Sequence, residues 1–258
     1  MKKLLTLSAL LLSVNSHAGP FAPAAGQPGS TAIHMNDSAF TAWATGWIDY
    51  IPGANLDASF KTPEKALGKA SGTSFDVVSL GEGGKITLTF ANPIMNGPGW
   101  DFAVFENSFS DTFLELAWVE VSSNGSDFFR FDNYSYTPSA VGAFGSVDPT
   151  NIHGYAGKYR QGFGTPFDLA GLASHSNLDI DNILYIRLID IIGDGNARDS
   201  LNNRIYDPYP TTGSAGFDLD AIGVIHQNLS AVPVPAALWL MGSALVALIG
   251  LKRRPTDI

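Results

Sequence analysis

At 258 residues, with 45% apolar and 15% charged residues, the chain is long and apolar enough to bury a substantial core and is no disordered tail. It has no cysteine, which excludes disulfides and thiolate metal sites and leaves oxygen and imidazole as the available metal ligands. Residues 19–231 hold 10 basic and 23 acidic residues, a net charge of −13 that argues against nucleic acid as a partner.

Lys2 and Lys3, an apolar stretch over 4–14 and the small-residue group Ser16-His17-Ala18 have the order of a secretory signal peptide over residues 1–18, cut after Ala18. Residues 19–36, rich in Pro, Ala and Gly, read as a leader strapped across the surface or left mobile. Beyond them, over 37–226, short alternating runs separated by Gly, Pro, Asn and Asp predict strands at 74–79, 85–90, 101–106, 116–122, 128–131, 184–190 and 217–225. Strict alternation in 85–90 puts Ile86, Leu88 and Phe90 on a buried face. Residues 119–132 read as a hairpin turned at Ser123-Asn124-Gly125-Ser126, where glycine makes positive φ cheap. Helical periodicity is confined to 63–67 and 166–173, the second capped by Thr165 with Pro166 at its first position. Without repeated strand-helix alternation the expected fold is all-β: a single jelly-roll-like antiparallel β-sandwich, flanked by the signal peptide and a C-terminal transmembrane helix.

Residues 227–235 read as a linker and sorting motif. The following 236–251 are a nearly unbroken apolar run, which as a helix at ~1.5 Å per residue approaches a ~30 Å hydrocarbon core. Lys252, Arg253 and Arg254 stop it abruptly and open a basic tail, 252–258, expected on the cytoplasmic side. Val232, Pro233, Val234, Pro235 and Ala236, followed by Ala237-Leu238-Trp239-Leu240-Met241-Gly242-Ser243, the apolar helix and the basic stop, closely resemble the PEP-CTERM sorting signal of Gram-negative bacteria. Val234 stands where that signal usually has Glu. The resemblance implies an exosortase-like processing peptidase as partner, inner-membrane anchoring through the C-terminal helix before processing, and a later place at the cell surface or outside the cell.

Catalytic motifs are scarce: there is no phosphate loop, Gly-x-Ser-x-Gly elbow or His-Glu-x-x-His, and His34, His153, His175 and His226 lack zinc-ligand spacing. The acids are more suggestive. Glu106 and Asn107 end one predicted strand, Asp190 closes another, and period two would place Asp218 and Asp220 on one face. Carboxylates beside such apolar strands are costly to bury unless paired or metal-bound, so these five residues are the candidate ligands of a structural Ca²⁺. Turn capping by the same Asp and Asn residues is the plainer alternative. Glu106, Glu115 and Glu120 are the central glutamates that could serve glycoside hydrolysis. Trp43, Trp47 and Trp100, with Tyr134 or Tyr136, could stack on sugar rings, whereas Trp118 in a regular strand reads as core.

The blocks 101–107, 116–125, 154–159, 164–169 and 216–225 resemble a group of uncharacterised bacterial cell-surface proteins, which implies a secreted β-sandwich and brings no catalytic residues with it. The expected protein is therefore an exported structural or adhesive component of the cell surface or extracellular matrix, with envelope or matrix polysaccharide as its partner. A carbohydrate-binding module is the first alternative, and a secreted glycoside hydrolase the second.

Overall fold

The computed structural model describes residues 19–229; the expected signal peptide, the sorting motif, the transmembrane helix and the basic tail lie outside the described residues. Among the described residues no helix is long and apolar enough to cross a membrane. The strands are β1 (Ile33–His34), β2 (Ala42–Trp43), β3 (Gly46–Ile51), β4 (Val78–Ser79), β5 (Lys85–Ile94), β6 (Phe102–Glu106), β7 (Ala117–Ser122), β8 (Phe129–Arg130), β9 (Tyr134–Ser135), β10 (Ile152–His153), β11 (Phe163–Phe167), β12 (Ile183–Asp190) and β13 (Asp218–Val224). Among the described residues the remaining regular structure is four short 3₁₀ turns, so the fold there is all-β, and every strand pairing is antiparallel.

Two sheets carry the domain. One runs β1-β11-β6-β13-β2, with β4 joined to β13, and the other runs β3-β5-β12-β7-β8; β9 and β10 form a separate pair. Alternation builds the core between the two main sheets. Ile86, Leu88 and Phe90 of β5, Val119 and Val121 of β7, and Ile186 and Leu188 of β12 meet Phe102 and Val104 of β6 and Leu219, Ile222 and Val224 of β13. Phe102 and Phe167 stack within it at 5.3 Å between centroids.

The inward residues of β13 break step, three apart and then two. The reason is a bulge: β13 advances from Leu219 to Ala221 while β6 advances from Glu106 to Phe105, leaving Asp220 as the extra residue. Ala221 consequently joins Ala103, Phe105 and Ala70 in a smaller cluster outside the main core, against which Phe40 and Trp43 pack. A third cluster, around Leu114, Leu116, Ile152 and Tyr155, is where half-buried Trp118 packs. Trp118 belongs to that cluster rather than to the main core because it alternates with inward Ala117 and Val119.

Several expected elements change. The strand expected over 74–79 is reduced to Val78–Ser79. The helical turn expected over 166–173 begins later, at Leu169–Leu172, capped by Asp168 accepting from the Ala170 N–H, while Thr165 and Pro166 belong to β11. Pro166 is tolerated there because β1 covers the outer edge of β11 only at Phe163 and Gly164. The expected hairpin forms between β7 and β8, and Gly125 adopts φ 76°. Its loop is longer than a two-residue turn, held by Asn124 Oδ1 accepting from the Ser126 and Asp127 N–H groups. The leader packs on the domain, with the Phe21 ring stacked on Tyr136 and His153 at 5.5 and 5.2 Å.

Candidate functional site

Three strand ends converge at one end of the sandwich. β4 ends at Ser79, β6 ends at Glu106 and β13 begins at Asp218, with Asp218 opposite Ser79 and Leu219 opposite Glu106 across the ladders. The loop that carries the chain from β6 to β7 brings in Asn107 and Glu115. A cavity of about 350 Å³ opens here, with Asn107, Glu115, Asp218, Thr211 and Ser214 among its polar lining and Phe60, Phe75, Phe109, Phe113 and Phe144 as its aromatic lining.

The aromatic rim is unusually exposed: Phe75, Phe109 and Phe144 are 77, 65 and 84% accessible, against a core whose phenylalanines are nearly sealed. Phe113 stands between two near-parallel rings, Phe109 at 4.9 Å and Phe144 at 6.1 Å. Such a contiguous apolar surface marks an interaction site more than a fold requirement.

The acids beneath it are buried. Burial, then repulsion from Asp218, holds the Glu106 carboxyl well above the usual range, against the opposing pull of the Ser108 and Asn107 N–H groups. Glu115 is likewise pushed well up by burial and by Asp218, Glu106 and Asp207. Burial raises Asp218 to about 7, with the Ser79, Ser214 and Asn107 side chains near it pulling the other way. Glu106 Oε2 accepts from the Ser108 N–H at 2.7 Å and Asn107 Nδ2 donates to Ser74 O at 2.9 Å. These two bonds fix the chain at the end of β6 and leave Glu106 Oε1 without a partner.

Of the five residues read from the sequence as metal ligands, Glu106, Asn107 and Asp218 come together here. Asp190 and Asp220 are each already provided for. Asp190 accepts from the Gly83 and Phe217 N–H groups, both at 2.7 Å, and Asp220 accepts from the Ser71 and Gly72 N–H groups, both at 2.9 Å. Asp220 is the extra residue of the bulge in β13. Among the described residues no three His, Asp or Glu side chains are grouped to hold a metal ion as they stand.

Glu120 lies apart from Glu106 and Glu115, paired with Arg130 at 2.8 Å and Arg187 at 3.7 Å. The three tryptophans stand in three different places. Trp43 packs on Phe40 and Phe105, Trp47 leans on the main core beside Tyr50, and Trp100 lines a second cavity of about 490 Å³ walled by the leader. Tyr134 and Tyr136 are taken up by Phe21. The rim phenylalanines escaped the sequence reading because they sit in four separate loop or turn segments with no shared period. The one local signal is Phe109 and Phe113 inside the run 108–113, which is otherwise Ser, Asp and Thr.

No family model matches this chain, and no curated protein matches it either.

Proposed function

We propose that this chain is an exported adhesive protein of the bacterial cell surface or extracellular matrix, whose sandwich docks polysaccharide in the phenylalanine-rimmed cavity. The observation that carries the reading is the pairing, in one cavity, of exposed phenyl rings with buried carboxylate, amide and hydroxyl groups. Sugars present the same two faces: C–H surfaces that pack on aromatic rings and hydroxyls that donate to carboxylates. A volume of about 350 Å³ falls in the range of small-ligand pockets.

The finer fold assignment is a jelly roll, and strand order supports it. Numbered in chain order, β4, β5, β6, β7, β8, β11, β12 and β13 give sheets ordered first-eighth-third-sixth and second-seventh-fourth-fifth, as two wrapped Greek keys would. Export by the N-terminal signal, inner-membrane anchoring through 236–251 and processing by an exosortase-like peptidase belong to the same proposal, on the strength of the terminal motifs.

The test is binding of the full chain, purified in detergent, to an array of bacterial envelope and matrix glycans. The Phe109→Ala/Phe144→Ala variant removes two exposed rings, so it should melt close to the wild type and lose at least tenfold in affinity, about 1.4 kcal/mol. Equal binding by wild type and variant, or no bound glycan, would contradict the assignment. One observation favours hydrolysis as a second reading: Glu115 lines this cavity with Glu106 close behind it, and both carboxyls have raised pKa. Release of reducing ends by the wild type but not by Glu115→Gln would move the assignment to a glycoside hydrolase.

A further inference from the structure

This fold buries many carboxylates and satisfies most of them with backbone N–H groups. Asp101 accepts from the Gly97 and Leu169 N–H groups, Asp199 from those of Ser135, Leu201 and Asn203, and Asp190 and Asp220 are provided for in the same way. The exceptions share one place. Among the described residues, the buried carboxylate oxygens that make no well-formed hydrogen bond are Glu106 Oε1, Glu115 Oε1 and Asp218 Oδ1, and Ser79 Oγ, across the ladder from Asp218, makes none either; the Ser79, Ser214 and Asn107 side chains near Asp218 and Thr211 near Glu115 favour the charged forms without outweighing burial. Glu106, Glu115 and Asp218 are only 1, 4 and 2% exposed, and Glu115 and Asp218 face the cavity. The ion pairs among the described residues engage Glu120, Asp111 and Asp101, and none reaches these three acids.

A buried carboxylate without partners costs several kcal/mol unless it is neutralised or paired. Three neighbours that repel one another compound that cost. Elsewhere the fold satisfies its buried acids largely from its own backbone, so these three are the ones open to a ligand from outside. We propose that the cluster is a Ca²⁺ site, in which Glu106, Glu115 and Asp218 supply carboxylate oxygens, Ser79 and Asn107 supply neutral ones, and the cavity admits the ion with its remaining water.

The donor set is all oxygen, which selects a hard cation. Ca²⁺ takes six to eight such ligands in adaptable geometry, whereas Mg²⁺ demands a near-ideal octahedron and keeps most of its water. Among the described residues no three acids are already grouped to hold an ion, so the site requires Glu106, Glu115 and Asp218 to draw together around the cation as it enters. Asn107 donates its amide nitrogen to Ser74 O, and its side chain lies beside Asp218. The ion would lie at the floor of the cavity read above as a saccharide pocket, but the inference stands on the unpartnered oxygens and not on that reading.

The experiment uses the full chain in detergent, stripped with chelator and titrated with Ca²⁺ or Mg²⁺ while retained metal and thermal unfolding are followed. The expected result is one retained Ca²⁺ per chain. Melting should rise by roughly 5–11 °C at a hundredfold excess over Kd, and chelator should reverse the rise. Asp218→Asn should lose the rise and the retained ion, whereas Asp190→Asn should keep both. No retained Ca²⁺ and no shift in the wild type would overturn the proposal even if a variant failed to fold. So would an equal response to Mg²⁺, or undiminished Ca²⁺ binding by Asp218→Asn, Glu106→Gln and Glu115→Gln. Glycan binding is scored separately, so a protein that binds Ca²⁺ but no sugar would sink the saccharide reading and leave the metal site standing.

Discussion

Asp190 shows how a single buried acid is held by this fold. Its two oxygens take the Gly83 and Phe217 N–H groups, which favours the charged form, yet burial outweighs them and raises the carboxyl from 3.8 to about 7. The folded state therefore holds the proton more tightly than the unfolded one. Asp190 contributes stability that is full below about pH 4 and lost as pH rises through about 7. Relative to Asp190→Asn, which cannot titrate, the wild type should lose stability between pH 4 and 8 in paired thermal melts in chelator. A difference that stays flat, or grows with pH, would contradict this account. Gly216 is part of the arrangement: at φ 67° it brings the Phe217 N–H to Asp190, and an added Cβ would stand 2.6 Å from Asp190 Oδ1.

Among the elements, Asp101 does the work of a clasp. Fully buried just before β6, it takes N–H groups from Gly97, four residues earlier, and from Leu169, just after β11, and it bonds the His226 ring just beyond β13 at 2.9 Å. Asp101→Ala would leave the two N–H groups and the ring without partners, at a cost of about 3 kcal/mol. At ~2–4 °C per kcal/mol this predicts a fall in melting temperature of roughly 6–12 °C, and a fall under 2 °C would show that water replaces the clasp. The long strands were legible because their two-residue period is strong: β5, β7 and β12 lie within a few residues of their expected bounds. β3 was not legible. Gly46 opens it, and Asp49, at φ 52°, breaks its register with β5 between Ile48 and Ile51. The two-residue strands β1, β2, β9 and β10 are too short for any period to register, and their pairing is set by tertiary contact.

At the scale of the whole molecule, composition and turn residues made the all-β class legible, and strand order within the sheets was not, because pairing partners are far apart in sequence. The site was half legible. Glu106, Asn107 and Asp218 could be read from strand ends, but Glu115 joins them only through the β6 to β7 loop, and the phenylalanine rim is assembled from distant segments. Asp190 and Asp220 look like ligands in the sequence because the backbone amides that satisfy them come from residues far along the chain. The terminal motifs carry their own prediction: deleting residues 232–258 should abolish membrane retention on cell fractionation and release the domain. Unchanged retention would contradict a C-terminal anchor.

The most direct measurement is a crystal of the protein grown in chelator and soaked in Tb³⁺ as an anomalous stand-in for Ca²⁺. The account predicts one strong peak bounded by Glu106, Glu115 and Asp218, at the floor of the phenylalanine-rimmed cavity. An unoccupied cluster, with any bound ion elsewhere, would contradict it and return those acids to a purely structural role.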